Sequence, residues 1–199
     1  IINCYMMRRD NELHKPVSEL QQLVAIHNST AAFEQLYLLF YKDLHNFAYR
    51  IIKSNHIAEE IVSDVFVQIW KRRTDLGKVQ NLRVFLYVAI KNQSLTYLYK
   101  TKKHRVCWIE EFAGGNDLIS SMGNPEELLN AKELSQNIHK AVSSLPVKCK
   151  AIFKLVKEDG LKYSEAALVL NLSVKTIENQ MGIALKKIAS VLKLWEYTR

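Results

Sequence analysis

The chain has 199 residues, of which 48% are hydrophobic, and its 28 Lys and Arg against 20 Asp and Glu give a net charge of +8. This hydrophobic content excludes a chain that is disordered throughout, and six Gly with three Pro are too few for an all-β protein with frequent turns. The longest apolar run, Val84–Ile90, is too short for a membrane span. Cys4, Cys107 and Cys149 have neither metal-ligand spacing nor a disulfide pattern. We therefore expect an all-α, cytoplasmic protein with reduced thiols and no membrane insertion.

The charge divides the sequence into two basic blocks and an acidic strip. Residues 30–105 carry a net charge of +7 and residues 131–199 a net charge of +6, whereas residues 106–130 hold five acids and no Lys or Arg. Because the strip is also rich in Gly and Ser, it is typical of a linker. The predicted organisation is a small helical domain at 1–105, a flexible acidic linker at 106–130 and a second small helical domain at 131–199. Basic blocks attract polyanions such as nucleic acid, although surface lysines also serve solubility alone.

Apolar residues at helical spacing predict four helices in the first domain. They cover Val17–Ile26, a long segment that is capped by Ser29 and ends at Ile52, the segment His56–Arg73, and a segment that starts near Leu82. The third helix has an acidic and polar outer face that consists of Glu59, Glu60, Ser63, Asp64 and Gln68. This face is either solvated or a docking site for a basic partner.

The fourth helix follows a loop at Thr74–Asn81 and combines aromatic with basic residues. Phe85 is expected in the core, whereas Tyr97 and Tyr99 are compatible with core or surface, and the helix ends in a basic run at residues 100–105. Exposed rings stack on unpaired bases while cations follow the phosphate backbone, so this end of the helix is a candidate site for single-stranded DNA. The alternative is that these rings belong to the core.

The second domain contains a predicted helix-turn-helix. A helix from residue 131 precedes Pro146, where a second helix begins, and Gly160 closes that helix in the left-handed conformation. Ser164 is then expected to cap a short helix that ends near Leu170. Asn171 suits the left-handed turn, and Ser173 caps a final helix that runs to about Leu192. The expected buried face of that final helix is Val174, Ile177, Met181, Ala184, Leu185 and Ile188.

The outer face of the final helix carries side chains that suit a DNA major groove. Asn179 can pair with adenine, Glu178 can accept from cytosine, and Lys175 can reach guanine or phosphate. The full outer face is Lys175, Thr176, Glu178, Asn179, Ile183, Lys186 and Lys187. The alternative is an ordinary helical hairpin with a solvated polar face.

Three sequence segments, taken together, resemble a known family. They are AEEIVSDVFVQIW at residues 58–70, LRVFLYVAIKN at residues 82–92, and the helix-turn-helix at residues 163–179 after the acidic linker. In order, spacing and total length they are similar to the extracytoplasmic-function, or group IV, sigma factors of bacterial RNA polymerase, the smallest members of the sigma-70 family. The resemblance covers about residues 17–192 and implies two helical domains, the second and fourth of that family.

The resemblance implies a role for each interface. In the family, the polar face of the third helix binds a coiled coil on the largest polymerase subunit. The loop after that helix captures a flipped base of the −10 promoter element, and the helix-turn-helix binds the −35 element. The implied polymerase-binding residues are Glu60, Ser63, Asp64 and Gln68. Together with the aromatic and basic end of the fourth helix, the −10 set is Asn92, Tyr97, Lys100, Lys102, Lys103 and Arg105. The −35 set is Lys175, Thr176, Glu178, Asn179, Ile183, Lys186 and Lys187.

We therefore predict a sigma factor that binds core RNA polymerase, directs it to specific promoters and initiates transcription. The alternative is a helix-turn-helix regulator that binds duplex DNA without polymerase. The sequence has no Gly-rich phosphate loop, metal-spaced cluster or nucleophile motif, so we expect neither an enzyme nor a cofactor. The expected partners are core RNA polymerase and promoter DNA, with an anti-sigma factor as a further candidate, and no obligate homo-oligomer is expected.

Overall fold

The computed structural model describes residues 16–101, Ile109, Phe112 and residues 137–197, with side chains described up to residue 191. In these ranges every regular element is a helix, which confirms the predicted all-α class. None of the described helices combines the length and the apolar character that a bilayer crossing requires. The first region contains α1 (Val17–His27), α2 (Thr30–Ile52), α3 (Asn55–Lys71), α4 (Arg73–Leu76) and α5 (Leu82–Thr101).

Local backbone chemistry sets the limits of α1 and α2. Asn28 at φ 53° and Lys53 at φ 61° take the left-handed conformation directly after the two helices. The Ser29 hydroxyl accepts a hydrogen bond from the Ala32 amide at 3.2 Å, which confirms the predicted cap of α2. The other predicted helix limits in the first region agree with the structure to within two residues, and they are Val17, Ile26, Ile52, His56, Arg73 and Leu82.

The predicted loop at Thr74–Asn81 is wrong in its first half, because the turn Arg73–Leu76 is helical. The cause lies in α1, where the buried Gln21 side chain donates hydrogen bonds to the carbonyls of Leu76 and Val79, each at 2.6 Å. The Leu76 carbonyl, at the end of α4, also accepts from the Val79 amide at 3.1 Å, whereas Gln21 is the described donor to the Val79 carbonyl. The segment after α3 is therefore fixed from a residue more than fifty positions earlier.

The second region is helical over residues 137–143 and then contains three helices and one π-helical turn. Gly160 has a φ of +66°, as predicted for the end of its helix, but the π-helical turn before it was not predicted. The elements are α6 (Val147–Phe153), the π-helical turn Lys154–Glu158, α7 (Tyr163–Leu170) and α8 (Val174–Tyr197).

Helices α7 and α8 form the predicted helix-turn-helix, with one wrong cap. The Glu165 carboxylate, not Ser164, caps α7, because it accepts from the Lys162 amide at 2.9 Å. Asn171 is left-handed at φ 57°, and the Ser173 hydroxyl accepts from the Thr176 amide at 3.1 Å, as predicted.

The buried face of α8 is narrower than predicted, and the helix extends past Leu192 to Tyr197. Val174 and Leu185 are 42% and 45% exposed, which contradicts their expected burial. The side chains of α8 that are buried among the described residues form a narrow strip at helical spacing, which consists of Ile177, Met181, Ala184 and Ile188.

One hydrophobic core joins the two regions. Helix α2 packs along α3 and α5, and the cluster that contains Tyr87 and Ile90 of α5 continues into Leu155 and Val169 of the second region. Phe112, which lies in the predicted linker, is fully buried with its ring centroid 5.3 Å from that of Phe47. The rest of the predicted linker lies outside the described residues, apart from Ile109.

Candidate protein-docking and nucleic-acid interfaces

The outer face of α3 is a continuous polar surface. Glu60, Asp64 and Gln68 are exposed at successive turns, and Ser63 beside them is half-buried. Within the described part of the chain, neither carboxylate forms an ion pair, so both are available to a basic partner. Val67, one turn after Ser63 and Asp64, is 50% exposed. The sequence interpretation missed Val67, although its position seven residues after Glu60 places it on the same face.

Aromatic packing holds this face rigid from beneath. The ring of Phe66 on α3 lies 5.8 Å from Phe33 and 4.9 Å from Tyr37 of α2, both with edge-to-face geometry. Phe33 also contacts Trp70, with ring centroids 5.0 Å apart. Since these contacts lie along the α2–α3 seam, the acidic face is presented on a fixed support rather than on a mobile helix.

A cavity of about 390 Å³ lies between α3, α4 and α5. One part of its wall is apolar, and its polar groups come from all three helices. The lining residues are Val65, Gln68, Ile69, Arg72, Asp75, Leu76, Val79, Phe85, Ala89, Asn92, Gln93 and Thr96. An apolar wall with a few convergent polar groups is the usual composition of a site for a planar organic ligand.

Phe85 was expected in the core, and this prediction is wrong. Its side chain is 42% exposed and lines the cavity, because the buried side of α5 is occupied by Leu86, Tyr87 and Ile90 instead. The sequence pattern alone contains a weak sign of this arrangement, since Phe85 is one turn before Ala89 and two turns before Asn92. Arg72, Gln93 and Thr96 were also missed, whereas Val79 belongs to the Thr74–Asn81 loop that the family resemblance assigns to base capture.

The segment after α3 forms one rim of the cavity and is held by polar contacts. Asp75 forms an exposed ion pair with Lys78 at 2.8 Å. The hydrogen bond from Lys78 holds the pKa of Asp75 below its ordinary value, so this carboxylate stays charged at neutral pH. Its charge faces the Arg72 side of the rim.

The structure brings together only part of the predicted −10 set. Asn92 is exposed on the cavity wall, and Lys100 is exposed two turns further along the same side of α5. Tyr97 is half-buried against the hydrophobic core, whereas Tyr99 is 55% exposed. Lys102, Lys103 and Arg105 lie outside the described residues.

Gln68 connects the two surfaces of the first region. It belongs to the acidic face of α3 and also lines the cavity that contains Asn92. A partner on the α3 face and a ligand in the cavity therefore lie next to each other.

The predicted groove-facing side of α8 is open to solvent. Lys175 and Glu178 form an exposed ion pair at 3.4 Å, while Thr176 is half-buried because its hydroxyl lies 2.8 Å from that of Ser173. The exposed members of the predicted −35 set are Lys175, Glu178, Asn179, Ile183, Lys186 and Lys187.

The two adjacent lysines of this face differ in their contacts. The Lys187 ammonium donates to the Ser144 carbonyl at 2.6 Å, which turns it back toward the preceding helical segment. Helix α8 is also tied to α6, where the buried Cys149 thiol donates to the Gln180 carbonyl at 3.2 Å. Burial raises the pKa of Cys149, so this thiol is a packing group.

Two models of the sigma-70 family match the chain in order. Sigma-70 region 2 matches residues 36–104, which include α3, the cavity and α5, and the model called sigma-70, region 4, matches residues 135–188, which include the helix-turn-helix. The ECF RNA polymerase sigma factor SigW of Bacillus subtilis is 23% identical over 147 residues, which cover 71% of this chain and 79% of SigW. The RNA polymerase sigma factor CnrH of Cupriavidus metallidurans is 26% identical over 139 residues, 67% of this chain and 72% of CnrH.

Solved structures establish the same fold. CnrH in complex with the cytosolic domain of CnrY aligns with a TM-score of 0.54 at 20% identity, covering 90% of this chain and 99% of that one. The sigma factor RpoE of Bartonella quintana, in complex with the anti-sigma factor NepR, aligns with a TM-score of 0.51 at 20% identity, covering 81% and 96%.

The chain belongs to the sigma-70 family, of which it carries regions 2 and 4 in sequence. Because its relatives include ECF sigma factors such as SigW, it is a sigma factor of the extracytoplasmic-function class.

Proposed function

We propose that the chain binds core RNA polymerase through α3, opens the −10 element at α5 and binds the −35 element through α8. The observation that carries this proposal is the position of Gln68, which joins the acidic docking face to the cavity. DNA that is opened in the cavity then lies directly beside the polymerase. The protein itself catalyses no reaction and acts in the cytoplasm.

The acidic face of α3 supports the docking step. Glu60 and Asp64 offer two carboxylates to a basic partner, with Ser63 and Gln68 as hydrogen-bonding groups at the sides. Val67 adds apolar area to this face, and apolar contacts that lose water on binding contribute strongly to affinity. We assign these five residues to the polymerase interface.

The cavity supports capture of an unpaired base of the −10 element. Extruding a base from a duplex costs a few kcal/mol, which stacking on an apolar wall and hydrogen bonds to the base edges offset. In this chain Phe85 and Val79 supply apolar contact, and Asn92 and Gln93 supply edge contacts. Lys100, with Lys102, Lys103 and Arg105 after it, attracts the strand backbone, and Tyr97 and Tyr99 lie along the same path.

The outer face of α8 supports recognition of the −35 element. Asn179 and Glu178 are placed to read base edges in the major groove, and Lys175 and Lys186 are placed to contact phosphates or guanine. Ile183 adds apolar contact, while Thr176 and Lys187 contribute at the edges of this surface. The domain limits 1–105 and 131–199 assign one promoter element to each domain.

A protein inhibitor is a further partner that we propose. The two solved relatives were each captured with a second protein, the cytosolic domain of CnrY in one case and the anti-sigma factor NepR in the other. We extend this type of partner to the present chain.

Transcription in vitro tests the proposal. Core polymerase with this protein is expected to initiate at a specific promoter, whereas core polymerase alone and this protein alone are not. Tight and specific binding to a palindromic duplex by the protein alone, with no effect on polymerase, would instead support the helix-turn-helix regulator.

A further inference from the structure

The C-terminal end of α2 forms a buried ionic contact with the second region. The Arg50 side chain is 8% exposed and donates to the carboxylates of Glu158, at 2.8 Å, and Asp159. The Asp159 side chain is 5% exposed, and the Phe112 ring covers the guanidinium at 4.8 Å. The two charges are thus removed from water only where the two sigma regions meet. We refer to Arg50 with Glu158 and Asp159 as the interdomain ion pair.

Two cations on α5 extend this contact. Arg83 donates to the carbonyls of Asp159 and Gly160, the latter at 3.2 Å. The Lys91 ammonium donates to the Val169 carbonyl at 2.9 Å, in the last turn of α7, where a positive charge is favourable. Helix α7, the first helix of the helix-turn-helix, is therefore held against α5 along its length.

A fourth contact reaches the rim of the cavity. The side-chain nitrogen Nδ2 of Asn81 donates to the Glu165 carboxylate at 2.9 Å. The side-chain oxygen Oδ1 of Asn81 accepts from the backbone amide of Val84 at 3.0 Å. Asn81 is the last residue of the Thr74–Asn81 segment, and Glu165 is the residue that caps α7. The segment assigned to base capture is thus connected to the helix-turn-helix.

In this arrangement α5 and α8 lie too close together to bind both promoter elements at once. Axes of packed helices lie 8–10 Å apart, so α8, which packs on α7, lies roughly 20 Å from α5. Positions 10 and 35 of a promoter are about 25 base pairs apart, which is roughly 85 Å of B-form DNA at 3.4 Å per base pair. The sequence between Thr101 and residue 137 is long enough, when extended, to cover a distance on the order of 100 Å.

We propose that the interdomain ion pair holds the sigma factor in a closed form that must open before the −10 and −35 elements are bound together. This inference rests on the proposed function for its consequence, but the closed form itself is defined by the contacts above. In the closed form the helix-turn-helix covers one side of α5 and fixes Asn81. Binding of both elements at once requires the open form, so closure lowers the apparent affinity of the polymerase complex for a promoter in proportion to the closed population.

The interdomain ion pair fixes the closed arrangement but leaves buried polar atoms without partners, so that opening is not strongly opposed. Within the described residues, the Arg50 Nε, the Tyr87 hydroxyl and the second oxygen of Asp159 are buried without a hydrogen-bond partner. Opening returns these three groups to water, which offsets part of the contact that is lost. The Asp159 side chain makes no described hydrogen bond within its own region, so its replacement leaves the folds of the two regions intact.

Charge reversal tests the closed form without polymerase or DNA. Dyes are attached to Gln22→Cys and Ala189→Cys, with Cys4 and Cys107 changed to Ser, and single-molecule energy transfer counts closed and open molecules. The labelled protein in which Arg50, Glu158 and Asp159 are unchanged is expected to be mainly closed. Asp159→Lys, which faces Arg50 with a second cation, is expected to lower the closed-to-open ratio at least about tenfold.

Two further variants complete this experiment. Arg50→Glu combined with Asp159→Lys restores the opposite charges and is expected to recover most of the closed population, while Glu34→Lys, an exposed reversal on α2, leaves the ratio unchanged. A ratio that is equal in wild type and Asp159→Lys overturns the proposal, as does a wild type that is mainly open. If Asp159→Lys loses its helical circular dichroism, Lys91→Met replaces it as the test variant. A closed-to-open ratio below that of wild type then supports the closed form, and an unchanged ratio contradicts it.

Promoter binding by the polymerase complex then separates this inference from the proposed function. With core polymerase, Asp159→Lys is expected to bind a promoter that carries both elements more tightly than wild type, by up to the factor through which it shifts the ratio. A shifted ratio with unchanged promoter affinity overturns the restraint on promoter binding. Failure of both proteins to bind core polymerase refutes the proposed function, whereas the dye measurement still decides whether the closed form exists.

Discussion

The cavity in the first region and the helix-turn-helix in the second both face DNA in the proposed function, but they are assembled from different distances along the chain. The helix-turn-helix takes its caps and turn from Lys162, Glu165, Asn171 and Ser173, each within three residues of the backbone group it serves or shapes. The cavity collects side chains from α3, α4 and α5, and Gln21 of α1 holds its rim.

This difference predicts where each interface is vulnerable. A site with local caps loses function mainly through its own surface residues, because its shape depends on short-range hydrogen bonds. A site that is assembled from four helices is also sensitive to residues that never touch the ligand. The first region should therefore show large effects both at its surface and at distant supports, and the second should show smaller effects that are confined to its surface.

The largest effect is expected on the acidic face of α3. Glu60→Lys with Asp64→Lys should weaken core-polymerase binding by roughly 2–5 kcal/mol, because two charges that meet a basic partner are reversed. Pull-down and titration with core polymerase measure this loss, and circular dichroism should be unchanged. Asp64→Lys alone, compared with the exposed Glu34→Lys, controls for net charge, and equal binding by these two variants would remove the docking assignment.

A smaller but remote effect is expected at Gln21. Gln21→Leu leaves the Val79 carbonyl without its described donor and removes one of the two donors to the Leu76 carbonyl, so it should lower the free energy of unfolding by roughly 1–3 kcal/mol. The exposed neighbour Gln22→Leu is the matched control and should stay within about 0.5 kcal/mol of wild type. Urea unfolding measures both, and promoter opening should fall in Gln21→Leu alone. Similar stability of the two variants would mean that the rim supports itself.

The difference between local and long-range contacts also explains which features could be predicted from the sequence. The turn at Asn171 and the cap at Ser173 follow from local chemistry, and the helices follow from apolar spacing, so both are confirmed. The exposure of Phe85 depends on which side of α5 is buried in the core, and the α4 turn depends on Gln21. Neither dependence is visible in a window of neighbouring residues. Glu165 replaces Ser164 as a cap because a carboxylate one residue further on reaches the Lys162 amide.

The interdomain ion pair should respond to pH at the junction of the two regions. Burial raises the pKa of Asp159 to about 6 in the closed form, although the Arg50 guanidinium acts in the opposite direction. The open form has the ordinary, lower pKa, so the closed form binds the proton more tightly and gains stability as pH falls through 6. The charged or titratable groups that face Asp159 are Asp43, Arg50, Arg83, Tyr87 and Glu158.

The closed-to-open ratio of the dye-labelled protein should therefore rise about fourfold between pH 7.5 and pH 5.5. Asp159→Asn is neutral at both pH values, so its closed-to-open ratio should not change between them. Any change that it does show measures the contribution of the other groups. A parallel response of the two proteins would assign the pH effect to another residue and not to Asp159.

The smallest effect separates two adjacent lysines of the helix-turn-helix. Each lysine that neutralises a phosphate adds about one to the slope of log affinity against log salt. Lys186 is exposed, whereas the Lys187 ammonium is held by the Ser144 carbonyl at 2.6 Å and must leave that contact to reach DNA. Lys186→Ala should therefore lower the slope by about one for holoenzyme on a −35 element, and Lys187→Ala should lower it by less. An equal loss from both would show that the Ser144 contact opens on DNA, and that even this locally capped interface is reshaped when it binds.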